Sequence, residues 1–329
     1  MNVADARWVL FTSAALVVLA PSPQANGDPS TSATPGASGQ RGPPALLQLN
    51  SPLPERAYYA PSSFDMGSTT KDLTYAIQAC QVETYGHTCT TVSYRDEAPK
   101  RRIELSRFWL DRYEVTVEKY ARCVQARRCA PIPFYQGAAR FNRPGLPATM
   151  VTWQDARDYC TFVGARLPTE AEWERAAAGL TRRRYPWGQL YNDKLSNHGK
   201  LAWDPTDDSD GFAELAPVGS FTVGATIEHV FDLAGNAEEW VHDRYGERYD
   251  PRDLHDPQGP ALDSGDVHRV LRGGSFASPR VDLRTAARSF DLPNRRKASR
   301  GFRCAVGEAS KLSGAPSTHA PAGPALPKG

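Results

Sequence analysis

Arg269-Val270-Leu271-Arg272-Gly273-Gly274-Ser275-Phe276-Ala277-Ser278 leads on to Ala286-Ala287-Arg288 and then Gly301-Phe302-Arg303-Cys304. Two adjacent glycines between apolar residues mark backbone that must bend, or must approach something closely where a Cβ would not fit. Arginines at 272, 280, 284, 288, 300 and 303 are interleaved with apolar residues, unlike a solvated charge run. The planar guanidinium donates several hydrogen bonds at once, so such arginines are expected to pair with buried carboxylates or carbonyls.

Working outward, residues 103–115 alternate apolar and polar side chains with aromatic filling, the periodicity of a strand. Thr116 caps a helix over 117–126, and Thr152 opens a second with Ala156, Tyr159, Cys160 and Val163 on one face. Thr169-Glu170-Ala171-Glu172 is a capping box before a third helix, with Trp173 and Ala176-Ala177 facing the core. Helical periodicity fades past Gly179 into loops and short strands punctuated by Trp187, Trp203, Phe212, Phe221, Phe231, Trp240 and Phe276. Long irregular connections of this kind need something to hold them, and metal ions are natural candidates. Asp204 to Phe212 is acidic and oxygen-rich, as calcium requires, but it is not an EF-hand: position 206 is Thr and the closing Glu is missing.

The chain has 329 residues and a formal net charge of +2, so no global field points to nucleic acid or a membrane surface. With 26 glycines and 27 prolines, a loop-rich fold is favoured over a helical bundle. The apolar run at 8–20, after Arg7, is too short to span a bilayer and fits a signal peptide over 1–25. Export to a secreted or periplasmic location is therefore expected, and an uncleaved N-terminal segment would be the one route to a membrane tether. Residues 26–56 read as a Pro/Ser/Gly-rich linker, 57–308 as one domain and 309–329 as a disordered tail. Six cysteines in an exported chain suggest disulfides. Cys80 with Cys89 and Cys123 with Cys129 are local pairs, which leaves Cys160 with Cys304.

Three motifs in order resemble the formylglycine-generating enzyme (sulfatase-modifying factor) family: Arg166-Leu167-Pro168-Thr169-Glu170-Ala171-Glu172-Trp173-Glu174, Asp232-Leu233-Ala234-Gly235-Asn236-Ala237-Glu238-Glu239-Trp240, and the opening stretch. The resemblance covers roughly 100 to 308. It implies an α+β, C-type-lectin-like fold with few helices, a small antiparallel sheet and long calcium-tied loops. It also pairs Cys160 with Cys304. Two calcium sites are implied: Asn197, the His198 carbonyl, Asp210 and the Phe212 carbonyl at one; Asp232, the Gly235 and Ala237 carbonyls and Glu239 at the other. The alternative for Glu239 is an ion pair with one of the C-terminal arginines.

The family reaction oxidises a substrate cysteine to an aldehyde through two copper-binding cysteines, since soft thiolates select Cu(I). At the matching positions this sequence has Ser278 and Leu283, so copper is not expected. A second family disulfide is also missing, its positions reading Ala177 and Thr285. The resemblance therefore implies the scaffold without the known chemistry: a cleft near Ser275, Ser278 and Arg272 that binds a peptide, glycan or protein partner. The rival is an oxidase or other enzyme using a site not evident in sequence. A smooth apolar or aromatic groove beside 275–283 would favour binding, and a polar cluster with a metal would favour an enzyme.

Other chemistry is weakly supported. The seven histidines, at 87, 198, 229, 242, 255, 268 and 319, lack metal-ligand spacing on one helix, although His242 and His268 are candidates to lie near the cleft. Ser275 is not in a nucleophile elbow, Gly273-Gly274 is not a phosphate loop, and no nucleic-acid recognition motif accompanies the basic stretch.

Overall fold

Among the described residues, short strands that cannot stand alone are gathered in three small sheets, each leaning on buried aromatic and aliphatic side chains. The computed structural model describes residues 55–83, 89–134, 138–199, 207–260 and 267–307. The expected signal peptide (1–25), tail (309–329), all of the linker (26–56) but its last two residues, and Trp203 lie outside them.

The first sheet contains β1 (Arg56–Tyr59), β4 (Phe108–Asp111) and β9 (Ala305–Gly307), in the order β1-β4-β9 and antiparallel throughout. The second pairs β2 (Ser62–Met66) with β3 (Arg101–Leu105). The third has the order β7-β6-β5-β8, built from β5 (Glu238–Arg244), β6 (Arg269–Arg272), β7 (Ser289–Asp291) and β8 (Arg300–Gly301). Its β5–β8 pairing is parallel. The expected single strand over 103–115 is thus two strands in different sheets. They separate at Ser106, whose N–H and hydroxyl both donate to Asp256, at 2.8 and 2.7 Å.

Four α-helices occur among the described residues: α1 (Thr70–Glu83), α2 (Val117–Gln125), α3 (Trp153–Phe162) and α4 (Glu170–Ala178). The last three begin where their caps were read. Thr116 accepts from the Lys119 N–H, and Thr152 with Asp155 and Thr169 with Glu172 both close capping boxes. Helix α1 was not expected from the sequence.

The core is centred on Trp173 and Trp240, both fully buried. Trp173 packs with Phe64, Ile103, Phe108, Leu110 and Val270, and Trp240 with Tyr120, Tyr159, Leu271 and Phe302. Disulfides Cys80–Cys89, Cys123–Cys129 and Cys160–Cys304 are all formed, with Cα separations of 5.9, 5.3 and 5.6 Å.

The arginine ladder is internal. Arg272 donates to Glu170 and Glu174, Arg284 to Glu97, Arg288 to Glu170 and Arg303 to Glu239. Arg300 pairs with Glu238 and Asp291, and Arg280 with Glu83. These arginines tie the C-terminal stretch to α1, α4, β5, β7 and the segment at Glu97; pairing with carboxylates was expected from the pattern, but the partners and the cross-linking were not.

Candidate functional site

Strand β6 ends at Arg272 and turns through Gly273 and Gly274, both left-handed, with φ of 91° and 65°. A Cβ on Gly273 would stand 3.1 Å from the Trp173 ring. On Gly274 it would meet Leu283 Cδ2 at 2.9 Å and Ser278 Cβ at 3.1 Å. The glycine pair is therefore a close approach, and the two family cysteine positions do converge on it. The Ser278 hydroxyl accepts from the Ser275 N–H at 2.9 Å and lies 3.3 Å from the Ser275 hydroxyl. Leu283 is fully buried with Tyr185 and Ala234.

Beside this turn opens a recess of about 250 Å³, lined by Glu238, Gly274, Ser278, Asp282, Arg288 and Phe290 among others. The Arg288 guanidinium is already engaged by both oxygens of Glu170 and by the Asp96 and Gly246 carbonyls. Asp282 is exposed at the recess, yet protein surrounds most of its carboxyl. That desolvation, opposed by Arg284 and reinforced by Glu238, pushes it up to about 7. The groove is thus polar and carboxylate-bearing with Phe290 at its edge: it is not a smooth apolar or aromatic groove, and among the described residues it contains no cluster that could hold a metal, so it meets neither criterion in full. Asp282 was not singled out from sequence, because its role depends on the turn that places it beside Ser278.

Arg272, expected at the cleft, is instead fully buried with its guanidinium turned to α4 through Glu170 and Glu174. His242 sits beside Trp153, not in the recess, and burial together with Arg269 lowers it to about 4. His268 reaches the rim through an edge contact with Phe290. His87 and His319 lie outside the described residues.

The two calcium sets differ in how well they suit an ion. In the first, Asp210 accepts from the His198 and Phe212 N–H groups, both at 2.8 Å, binding together the two backbone segments whose carbonyls were mapped as ligands. Asn197 donates its amide N–H to the Glu214 carbonyl and to Asn236, while its Oδ1 is buried with no hydrogen-bond partner. An orphaned buried acceptor carries a real cost unless something coordinates it. These groups are all oxygen donors of the kind calcium takes, so the first set fits.

In the second set, Asp232 and Gly235 are left-handed, and Gly235 admits no side chain because a Cβ would fall 1.9 Å from the Asn197 carbonyl oxygen. Glu239, however, receives three N–H contacts from Arg303 and one from Trp173, at 2.6 to 2.9 Å. The Arg303 Nε–H is shared between both oxygens, so three donor hydrogens occupy most of the lone-pair positions a carboxylate offers, and the Arg303 charge already neutralises it. The ion-pair alternative describes Glu239, and the second set does not fit an ion in this arrangement. Glu114, not singled out from sequence, also holds this loop: its buried carboxylate accepts from Asn236 and from the Ala237 N–H.

Residues 63–307 match the Sulfatase-modifying factor enzyme 1-like domain. The chain belongs to this family. It is 32% identical over 264 residues to the formylglycine-generating enzyme of Thermomonospora curvata, covering 64% of this chain and 85% of that protein. It is also 35% identical over 235 residues to a protein named serine/threonine-protein kinase pkn1 from Chlamydia caviae, covering 65% of this chain. The match spans 35% of that relative's length. Among solved structures, PvdO from Pseudomonas aeruginosa superposes with a TM-score of 0.56 at 24% identity, covering 77% of this chain and 94% of the other, a likeness of fold.

Proposed function

We propose that this family member is exported, lacks formylglycine-generating activity and uses the recess beside Gly274 to bind a partner. The observation that carries this reading is the pair at Gly274: a hydroxyl and a branched alkyl group stand where a copper-thiolate pair would be needed. All six cysteines are committed to disulfides, so none is left to substitute. Of the peptide, glycan and protein partners considered, a peptide or protein segment presenting a basic side chain suits the recess best. Asp282 and Glu238 repel one another there, and a cation would relieve that repulsion.

The deciding experiment incubates a Cys-x-Pro-Ser-Arg peptide with the protein, copper and reductant, and follows the peptide by mass spectrometry. The expected result is unmodified peptide from the natural chain. Copper(I) binding is expected only in the Ser278→Cys/Leu283→Cys variant. Turnover by the natural chain overturns the reading.

We also propose one calcium ion at Asn197, the His198 carbonyl, Asp210 and the Phe212 carbonyl. Its chemistry there is structural: it would satisfy Asn197 Oδ1 and tie Asn197 and His198 to Asp210 and Phe212. Chelation is expected to lower the melting temperature, and Asn197→Ala to abolish most of that chelator effect. A chelator response unchanged in Asn197→Ala would exclude this site.

A further inference from the structure

A second pocket, at the junction of β3 and β4, has no part in the reading above. It has a volume of about 280 Å³ and is lined by Tyr58, Glu104, Ser106, Arg107, His255 and Asp256 among others. We propose that it receives the arginine side chain of a peptide or protein partner, with the guanidinium laid on Tyr58 and its N–H groups directed to the acceptors of the wall.

The aromatic side comes from the open face of the first sheet. Tyr58 on β1 and Trp109 on β4 are directly opposed in the antiparallel register. Their rings lie 5.1 Å apart, tilted by 47°, and they remain 53% and 36% exposed. An aromatic face attracts a cation through its quadrupole. A guanidinium is flat and weakly hydrated, so it stacks on such a ring, whereas an ammonium is a compact, strongly hydrated point charge. The same contact recurs inside this chain: the guanidinium carbons of Arg101, Arg184 and Arg269 lie 4.2, 3.7 and 3.8 Å from the ring centroids of Tyr249, Tyr75 and Trp153.

The polar side is held in place before any ligand arrives. Its two halves are strapped together by backbone: the Glu104 N–H donates to the Leu254 carbonyl at 2.8 Å, and the Asp256 N–H to the Glu104 carbonyl at 2.9 Å. The Ser106 N–H and hydroxyl each donate to one Asp256 oxygen, leaving a lone pair on both. His255 Nδ1 lies 3.0 Å from Glu104 Oε2. With Nδ1 donating there, Nε2 is an acceptor and Glu104 Oε1 stays open to a ligand. Arg107 is engaged with a partner of its own, so the wall presents acceptors. Two carboxylates against one guanidinium leave it net negative. A ligand made of donors alone matches such a wall, and a guanidinium carries five N–H donors and no acceptor. A sugar hydroxyl would bring acceptor lone pairs that find no free donor, and an anion would meet both carboxylates. Among the described residues no three His, Cys, Asp or Glu side chains are grouped closely enough to hold a metal ion, so these acceptors are spread apart. The fork of a guanidinium spans a spread that a point charge does not.

The test titrates end-blocked Gly-Arg-Gly, Gly-Lys-Gly and Gly-citrulline-Gly peptides into the full chain and reads binding by saturation-transfer NMR. Citrulline keeps the shape of arginine without its charge. The natural chain is compared with Asp282→Asn, in which the carboxylate of the Gly274 recess no longer contributes. In Asp282→Asn the arginine peptide is expected to bind, the lysine peptide less well and the citrulline peptide not at all. Adding Tyr58→Ala should weaken arginine binding about tenfold, because the stacking contact is lost. Adding Asp256→Asn instead should weaken it similarly, since asparagine tolerates the left-handed φ of 46° but removes a charge. Tyr58→Ala alters an exposed side chain, so its melting temperature should be unchanged and its binding loss interpretable. Lysine or citrulline binding as tightly as arginine, or arginine binding insensitive to Tyr58→Ala, overturns the proposal. So does an arginine peptide that binds neither chain. Arginine binding to the natural chain but not to Asp282→Asn would also overturn it, by assigning the side chain to the Gly274 recess.

Discussion

Arg303, with no solvent exposure, donates to both oxygens of the buried Glu239 and to the carbonyls of Asp111, Arg112 and Phe231. Removing the guanidinium alone would strand the Glu239 charge. Arg303→Met is therefore expected to destabilise by about 3–5 kcal/mol, as broken buried ion pairs do. Adding Glu239→Gln should restore part of that loss, because a neutral amide leaves no stranded charge. Urea midpoints of the two variants decide this, and equal or greater destabilisation in the double variant would contradict it. That the ladder arginines would be internal was legible in their interleaving with apolar residues. Their partners were not: Glu97, Glu170, Glu174 and Glu239 lie on distant segments, and only the fold brings them to the ladder. The same limit applies to Asp282, whose position in the recess depends on a turn that spacing alone does not describe.

Three helix starts, at Thr116, Thr152 and Thr169, were legible because a side chain satisfies the backbone locally. The Thr169 box opens α4 with the Thr169 hydroxyl accepting from the Glu172 N–H, and Glu172 accepting from the Thr169 N–H at 2.9 Å. Thr169→Ala should destabilise by about 1 kcal/mol. Glu172→Ala should be worse, since Glu172 also pairs with Arg166 through both oxygens, at 2.6 and 2.7 Å. Thermal melts of the two variants should rank in that order, and the reverse order would show that the Arg166 pair contributes nothing. Helix α1 had a comparable start, with Thr69 and Asp72 bonded to each other's backbone and side chain, and buried positions at Ala76, Ala79 and Cys80. Its mixed polarity obscured that periodicity. The break between β3 and β4 was hidden for a different reason. Buried and exposed residues alternate on both sides of Ser106, and the change of sheet is made by the distant Asp256.

Across the whole molecule, buried groups of opposing sign shape stability with pH. Asp232, pushed up to about 6 by burial, and Glu114, raised well above its ordinary value by burial, act in the same sense as Asp282 and Asp243. His242 is lowered to about 4 by burial and the neighbouring Arg269, so the unfolded chain takes up its proton near the ordinary value of about 6.5 while the folded chain does not. Its contribution is complete above that value and is lost as pH falls toward 4. Asp282 is raised to about 7 by desolvation, and Asp243 is raised well above the carboxylate range by burial and the nearby Glu170. Both hold a proton when folded that the unfolded chain has released. Their contributions are present at low pH and are lost as pH rises through the folded values. Near pH 5 these two bound protons outnumber the one gained on unfolding, so stability should fall as pH rises from 5 to 7.5. The chelated protein is the form to measure, because calcium at the proposed site would compete with protons for carboxylates and blunt the trend. In thermal melts at the two pH values, Asp282→Asn should shrink the difference, and His242→Gln should widen it by up to ~2 kcal/mol. A chelated protein that melts higher at pH 7.5 than at 5, with Asp282→Asn leaving the difference unchanged, would mean that the Asp282 carboxyl is ionised in the folded chain. The recess would then carry its full negative charge at neutral pH and would draw a basic partner more strongly.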